Sequence, residues 1–541
     1  MDIKDAVKVA MLNIRKESIT DVDVFSRPFE IEYLSDKRNF DIISNIVIER
    51  ITKALDCLNK KQEPFEALKE LKLAPLRTLL IPKKNLFDFR KCSYTEPIDE
   101  IIYLSLVLMI SNKIEKKRIK KANKIVYSYR LKNNLAKEDK PTFLFDYDYS
   151  YTLFRSSISP KAKDVGAKVI ISCDISNFYD RLNLHRLENA LLSIPDINKD
   201  VVILINEMLL FWSNRDSYGL PVGSNASRIL AEASLIAVDK YLLNREIIFK
   251  RFVDDFRLFA ADAKQAHSWL SILVERLNQE GLFLNTSKTK ILSFTDLKKE
   301  ENSETPNRDD IEMERKELPQ IIRGYSGIIP TKFRKLSEHE KFNLKKNDIL
   351  QFETEKIKKD LINPLDLQKY LKILVAQEKW ETLANASLIL ERFPQFIPYY
   401  LDCIFKFIDK FSYDNISTIK TVIIKQGNDE NLLEYLKIYI YKYLSLDETN
   451  KIYLLNTYLN LKRGEGVYLG RALLENLFIK IDRDDVLEIK KGFQRADAPE
   501  KRIILRAMHL KLNREEFNVF VKNISLTEND PWIEIIAKEK M

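Results

Sequence analysis

Glycine is scarce in this chain: 11 residues in 541, too few for the Gly-rich loops that cradle phosphates. Histidine and cysteine are scarcer, with four of each. The cysteines, Cys57, Cys92, Cys173 and Cys403, lie far apart and lack metal-ligand spacing, which with so few histidines argues against a zinc site. No apolar run approaches the roughly 20 residues of a membrane span. The N-terminal stretch "MDIKDAVKVAMLNIRKESI" is charged from its second residue, unlike a signal peptide. These absences lead us to expect a soluble, reduced, cytoplasmic protein without membrane contact. A large excess of one charge is missing as well. The 89 basic and 80 acidic residues leave +9, which permits a polyanionic partner without demanding one.

With 45% hydrophobic and 31% charged residues, the composition is that of a globular protein long enough for two to four domains. Residues 1–75 read as helical, with apolar residues at helical spacing in "FDIISNIVIERITKALDCLNKK". Short strand-like runs begin at "LRTLLIPKKNLFDFRK" (76–91), broken at Pro82 and Asn85. "AKVIISCDI" (167–175) is β-branched and apolar, as a buried strand requires, and "KQAHSWLSILVERLNQEG" (264–281) reads as an amphipathic helix ended by Gly281. The stretch 296–319 is charge-dense without an apolar face, which suggests a surface insertion or linker. From about residue 335 helical patterns follow one another with short breaks, as in helix pairs stacked into a solenoid, although no exact period recurs. The tyrosines of "YLKIYIYKYL" within this region fit packing better than base stacking.

One decapeptide, "RFVDDFRLFA" (251–260), sets two carboxylates side by side in a half-buried strand pattern. In a straight strand Asp254 and Asp255 would point to opposite faces. Two readings stand: a tight hairpin turn, which suits Asp, or a site that needs concentrated negative charge. "VIISCDISNFYDRL" ends a buried strand at Asp174, a third carboxylate. Between it and the pair lies "YGLPVGSNASRILAEASL", a turn leading into a helix whose first residues, Ser224 to Ser227, offer capping groups and open amides. After the pair comes "GLFLNTSKTKIL", a strand-turn-strand pattern carrying Lys288 and Lys290. Nucleotide polymerisation needs two divalent ions about 4 Å apart, and hard cations such as Mg²⁺ need carboxylates converging from different strands. The order of these segments suits that chemistry.

The ordered set resembles the palm motifs of reverse transcriptases: "DISNFYD", "GLPVGSNAS", "FVDD" and "LNTSKTK". Upstream, "LIPKKNLFDFRK", "YTEPIDEIIYLSL" and "VYSYRL" resemble the fingers segments, so the likeness covers about residues 76–292. With the helical patterns on either side, the resemblance leads us to expect an α+β fold: a right-hand fingers-palm core (76–335), an N-terminal helical extension (1–75) and a C-terminal all-α, HEAT-like helical-repeat domain (336–541). It also implies that Asp174, Asp254 and Asp255 are catalytic and hold two Mg²⁺ ions (or Mn²⁺), with the Ile175 carbonyl assisting. Tyr179 would sit under the sugar and exclude a 2′-hydroxyl, so the substrates would be deoxynucleoside triphosphates; simple core packing is the alternative. Lys288, Gly223 and Arg90 would contact the nucleotide, with an ordinary basic surface position as the alternative for Lys288 and Arg90.

Two departures bear on function. Val222 stands where templated enzymes commonly carry glutamine, and valine cannot make those polar contacts. The continuation "SNASRILAE" differs from retroelement enzymes, and its Arg228 and Glu232, one helical turn apart, read as an ion pair. In this form the chain resembles bacterial abortive-infection and related phage-defence reverse transcriptases. That likeness implies template-independent, protein-primed DNA synthesis in antiviral defence, with a DNA product and a homo-oligomer. Two alternatives remain open: an RNA-templated enzyme copying a noncoding RNA, and a vestigial nucleic-acid-binding scaffold. Three converging carboxylates would only weaken a scaffold's hold on a polyanion.

Overall fold

A computed structural model describes residues 1–83, 89–297, 331–360, 362–462, 468–524 and 530–539. Most of the charge-dense stretch 296–319, and Asn85 within the first strand pair, lie outside the described residues. The chain divides into two compact units. One comprises Met1–Val22, Arg27–Leu76 and Ser93–Gly324; the other Asp23–Ser26, Arg77–Cys92 and Tyr325–Met541. Residues 1–76 thus belong, apart from Asp23–Ser26, to the unit that holds the main sheet. All four cysteines are free, and Cys92, Cys173 and Cys403 are buried. Among the described residues no helix is long and apolar enough to cross a membrane.

In the first unit, helix α1 (Ile3–Glu17) starts at Asp2, whose carboxylate accepts the Asp5 N–H at 2.8 Å, and ends with Arg15 and Lys16 in its last turn. Val7, Ala10, Met11 and Ile14 form its buried stripe, and this packs on helix α2 (Pro97–Lys117). Helix α2 is buried on all sides from Ile98 to Leu108 and mostly apolar from Ile101 to Ile110, the pattern of a central helix. Further along the same unit come α3 (Phe178–Arg181), α4 (Asn225–Ser234) and α5 (Ala263–Gln279).

The six described strands are β1 (Arg77–Pro82), β2 (Phe89–Tyr94), β3 (Val169–Asp174), β4 (Phe249–Phe252), β5 (Asp255–Ala260) and β6 (Lys290–Ser293). Strands β1 and β2 pair with each other, and the remaining four form an antiparallel sheet in the order β4-β5-β3-β6. One face of that sheet packs Ile170 and Phe259 against Tyr127, Phe154, Ile158 and Ala162, and α5 covers β3 and β5. The strand expected ahead of the Lys288 turn shrinks to one bridge between Leu284 and Ile175. The chain turns at once, because Asn285 donates its N–H to the Asp174 carbonyl at 2.7 Å and accepts those of Lys288 and Thr289.

In the second unit, helices Ile397–Lys406, Glu434–Leu444, Leu469–Leu477, Ala498–Lys511 and Pro531–Ala537 each pack on the next. Tyr435 and Tyr441 are buried packing residues, and the Tyr441 hydroxyl donates to the Gly427 carbonyl at 3.0 Å.

Candidate active site

Strand register explains how three carboxylates come to one end of the sheet. Asp174 ends β3 directly opposite Asp255, the first residue of β5, while Phe252 opposite Asp255 closes β4 and β5 over the two-residue turn Val253–Asp254. The Ile175 N–H donates to the Asp254 carbonyl at 3.1 Å, tying the end of β3 to the turn. The turn reading and the site reading of the adjacent pair are therefore compatible: the turn is what brings Asp254 and Asp255 to one end of the sheet.

Val253 makes that turn at φ +54°, a left-handed conformation that a β-branched residue adopts at a cost of about 1–2 kcal/mol. Arg251 holds it there. Its guanidinium, fully buried, donates to the Val253 carbonyl at 2.7 Å, to Asp239 at 2.6 and 2.8 Å, and to Glu232 at 3.0 and 3.1 Å. All five of its N–H groups are thereby used. Glu232 also accepts from Arg118 at 2.6 Å and from the Ser128 hydroxyl at 2.5 Å. The expected Arg228–Glu232 pair does not form. Buried cations on neighbouring segments claim Glu232, and Arg228 pairs instead with Asp21 and with Asn225 Oδ1 at 2.6 Å.

Electrostatics marks the cluster. Burial, then the charges of Asp174 and Asp255, push the Asp254 carboxyl up to about 7. Burial also raises Asp255, against the opposing pull of Arg257. Two cations answer the excess charge: Lys288 Nζ lies 2.9 Å from Asp174 Oδ2, and Arg257 pairs with Asp255. Arg257 is two residues along β5 from Asp255 and so shares its face; it lies opposite Lys250 on β4 and Ser172 on β3, and Ser172 lies opposite Lys290 on β6. A basic rank thus runs across the sheet directly behind the carboxylates. Sequence reading missed Arg257, although its i+2 spacing from Asp255 was a usable signal.

The donor set, three carboxylates at one end of the sheet, is chemically that of a hard divalent cation site. Its present arrangement is different: among the described residues no three His, Cys, Asp or Glu side chains are placed to hold a metal ion together. Two of the three carboxylates are turned toward Lys288 and Arg257.

Other expected site residues fall nearby. Tyr179 lies half-buried on α3, edge-on to Phe178, and its carbonyl accepts the Leu220 N–H at 3.0 Å, which sets α3 beside the "GLPVG" turn. Val222 is buried, and its carbonyl accepts the Ser93 N–H at 3.1 Å. Gly223 has φ +119°, and a Cβ there would overlap the Thr20 hydroxyl and come within 3.3 Å of Val22 Cγ2. Gly223→Ala should therefore destabilise the unit by about 2–3 kcal/mol, and Thr20→Gly should restore only part of it because the backbone angle stays strained. Chemical denaturation of the single and double variants checks both.

Of the amides expected to be open at the start of α4, that of Ala226 is capped, and the side chains around them are tied to neighbouring segments. Ser224 accepts the Ala226 N–H at 3.1 Å and donates to Glu100 at 2.6 Å, Asn225 donates to Asn13 at 3.0 Å, and Ser227 meets the Tyr103 hydroxyl at 3.1 Å. The helix is buried along nearly its whole length, so its N-terminus serves packing. Arg90 lies half-buried on β2, in the segment Arg77–Cys92 of the second unit, while the carboxylates lie in the first.

Residues 103–336 match the family described as reverse transcriptase (RNA-dependent DNA polymerase). No curated protein matches the chain. Among solved structures, telomerase from Candida albicans, in complex with a TWJ fragment of telomeric RNA, aligns at 14% identity with a TM-score of 0.29, over 68% of this chain and 65% of that one. Apo telomerase from Candida tropicalis aligns at 14% identity and 0.29, over 68% of each chain. The chain spans less than two thirds of the first of these. Domains of the matched family use divalent metal ions, Mg²⁺ above all. Asp174, Asp254 and Asp255 all fall inside the matched residues, and the match marks that segment as a reverse transcriptase domain, of nucleotidyltransferase type.

Proposed function

We propose that this enzyme is a DNA polymerase that joins deoxynucleotides at Asp174, Asp254 and Asp255, and that it does so without a supplied template. The observation that carries the first part is the register pair Asp174–Asp255 with Asp254 in the adjoining turn. These three side chains, with the Ile175 carbonyl, would hold Mg²⁺; the ions would ease deprotonation of the attacking hydroxyl and neutralise the departing pyrophosphate. Arg257 keeps Asp255 oriented, Arg251 keeps the turn in shape, and Lys288 stands where it can meet the triphosphate. Tyr179, held against the "GLPVG" turn, is the residue we assign to exclusion of a 2′-hydroxyl.

Val222 supports the untemplated part: it is apolar, buried and committed to packing, with no polar group to help seat a template-paired base. The likeness of "GLPVGSNASRILAE" and "RFVDDFR" to abortive-infection enzymes is the basis for placing this synthesis in bacterial antiviral defence, with a protein hydroxyl as primer and self-assembly of the chain. The family description favours a second reading, the copying of an RNA. Incorporation of labelled deoxynucleotides by the purified protein with Mg²⁺, and neither primer nor template, separates the two. We expect each deoxynucleotide to be incorporated alone, ribonucleotides to be rejected, and the label to travel with the protein until protease is added. Product formed only from a full mixture and complementary to a co-purified RNA would replace the untemplated reading with the second.

A further inference from the structure

We infer that Lys288 is a resident counter-ion of the carboxylate cluster, and that its withdrawal from Asp174 couples binding of the divalent cation to binding of the nucleotide. The inference rests on the reading of Asp174, Asp254 and Asp255 as the cation site. It begins with the arrangement of the donors. Asp174 Oδ2 is engaged by Lys288 at 2.9 Å, Asp255 is engaged by Arg257, and no three carboxylates among the described residues are gathered around one point.

The two cations are not alike. Arg257 is 8% exposed, sits in register within β5 and also donates to the Phe256 carbonyl at 2.9 Å. Its burial and its bond to the Phe256 carbonyl keep the guanidinium beside Asp255. Lys288 has a side chain 55% exposed and rides on a turn held through Asn285 by backbone bonds and by the Ser287 and Thr289 hydroxyls, none of which uses the lysine ammonium. Its flexible four-carbon stem and point charge let the ammonium swing away while that turn stays anchored to the Asp174 carbonyl.

A divalent cation that enters alone finds Asp174 Oδ2 engaged by Lys288, and it meets that ammonium as a like charge. A triphosphate changes the balance, because it offers Lys288 a more strongly charged acceptor and frees Asp174 at the same moment. Nucleotide and cation therefore promote each other's binding by one common factor, as linkage requires. Arg257 takes no part in the exchange and holds Asp255 in place throughout.

Titration of Mn²⁺ followed by electron paramagnetic resonance tests this on the full-length protein. It is run with and without a deoxynucleoside triphosphate analogue whose α,β-bridge cannot be cleaved. Without the analogue, Lys288→Gln should bind Mn²⁺ about fivefold more tightly than wild type, the range of a partly exposed ion pair. Lys288→Arg, which keeps the charge, should stay as weak as wild type. The analogue should tighten Mn²⁺ binding to wild type severalfold and to Lys288→Gln hardly at all. Equal Mn²⁺ affinity of wild type and Lys288→Gln without the analogue would overturn the coupling while leaving the cation site standing. If no Mn²⁺ binding in any of these proteins is lost on Asp174→Asn, the cation-site reading and the coupling fall together.

Discussion

Asp254→Asn is expected to lower nucleotide incorporation by about a thousandfold or more while raising the melting temperature in metal-free buffer. The two effects share one cause. Asp254 is held beside Asp174 and Asp255, with its carboxyl pushed up to about 7, first by burial and then by their charges. A carboxyl raised in the folded state is destabilising wherever it ionises, so the wild type should lose stability as pH rises from about 4 to about 7 and change little above that. Solvent reaches the site, so the loss should be about 1–2 kcal/mol rather than the full value of the shift. Asp255 is raised as well and adds to the slope in the same direction. Melting curves between pH 5 and pH 8 in EDTA check this. The wild type should fall with pH, and Asp254→Asn should fall less and lie higher at pH 8. A wild-type melting temperature that climbs with pH relative to the variant would contradict the mutual repulsion on which the site reading depends.

Arg251→Gln should produce the largest loss of stability, about 3–5 kcal/mol, the range for breaking a buried ion pair from one side. Glutamine cannot supply five donors, so Asp239 would be stranded without its charged partner and Glu232 would keep only Arg118 and Ser128. The Val253 carbonyl would also lose the 2.7 Å bond that holds the turn at positive φ. A second variant separates charge from turn support: Glu232→Gln and Asp239→Asn combined with Arg251→Met removes Arg251 and both of its carboxylate partners together, while Arg118 keeps its pair with Glu115 at 3.0 Å. It should recover much of the stability, because an apolar replacement of a buried ionic group costs little, but incorporation should stay low because nothing anchors Val253. Full recovery of activity in the triple variant would show that Arg251 acts on stability alone.

What could be read from the chain was local. β3 and the β4–β5 hairpin are visible in "AKVIISCDI" and "EIIFKRFVDDFRLFAAD" because β-branched and apolar residues alternate around a short turn, and α5 lies within two residues of its expected ends. The grouping of Asp174 with Asp254 and Asp255 was legible from motif order, since an antiparallel sheet brings strand ends together. Partners distant in sequence were not legible. Arg228 offered Glu232 at helical spacing, yet its partner is Asp21, more than 200 residues earlier. The need for glycine at 223 comes from Thr20 and Val22, which no pattern around "GLPVG" announces. The amides at the start of α4 were expected to be open because capping residues signal a helix start, whereas exposure depends on what packs there.

The distribution of thiols has a practical consequence. Cys173 adjoins Asp174, but burial pushes its thiol up to about 12, so almost none of it is thiolate at neutral pH. Cys92 and Cys403 are buried too, which leaves Cys57, on the helix Lys37–Asn59, as the one partly exposed sulfur. A maleimide dye or nitroxide should therefore attach at a single position in native protein, within the same unit as the carboxylates. Labelled molecules could then be followed by fluorescence or spin-echo spectroscopy without first engineering the other three cysteines away.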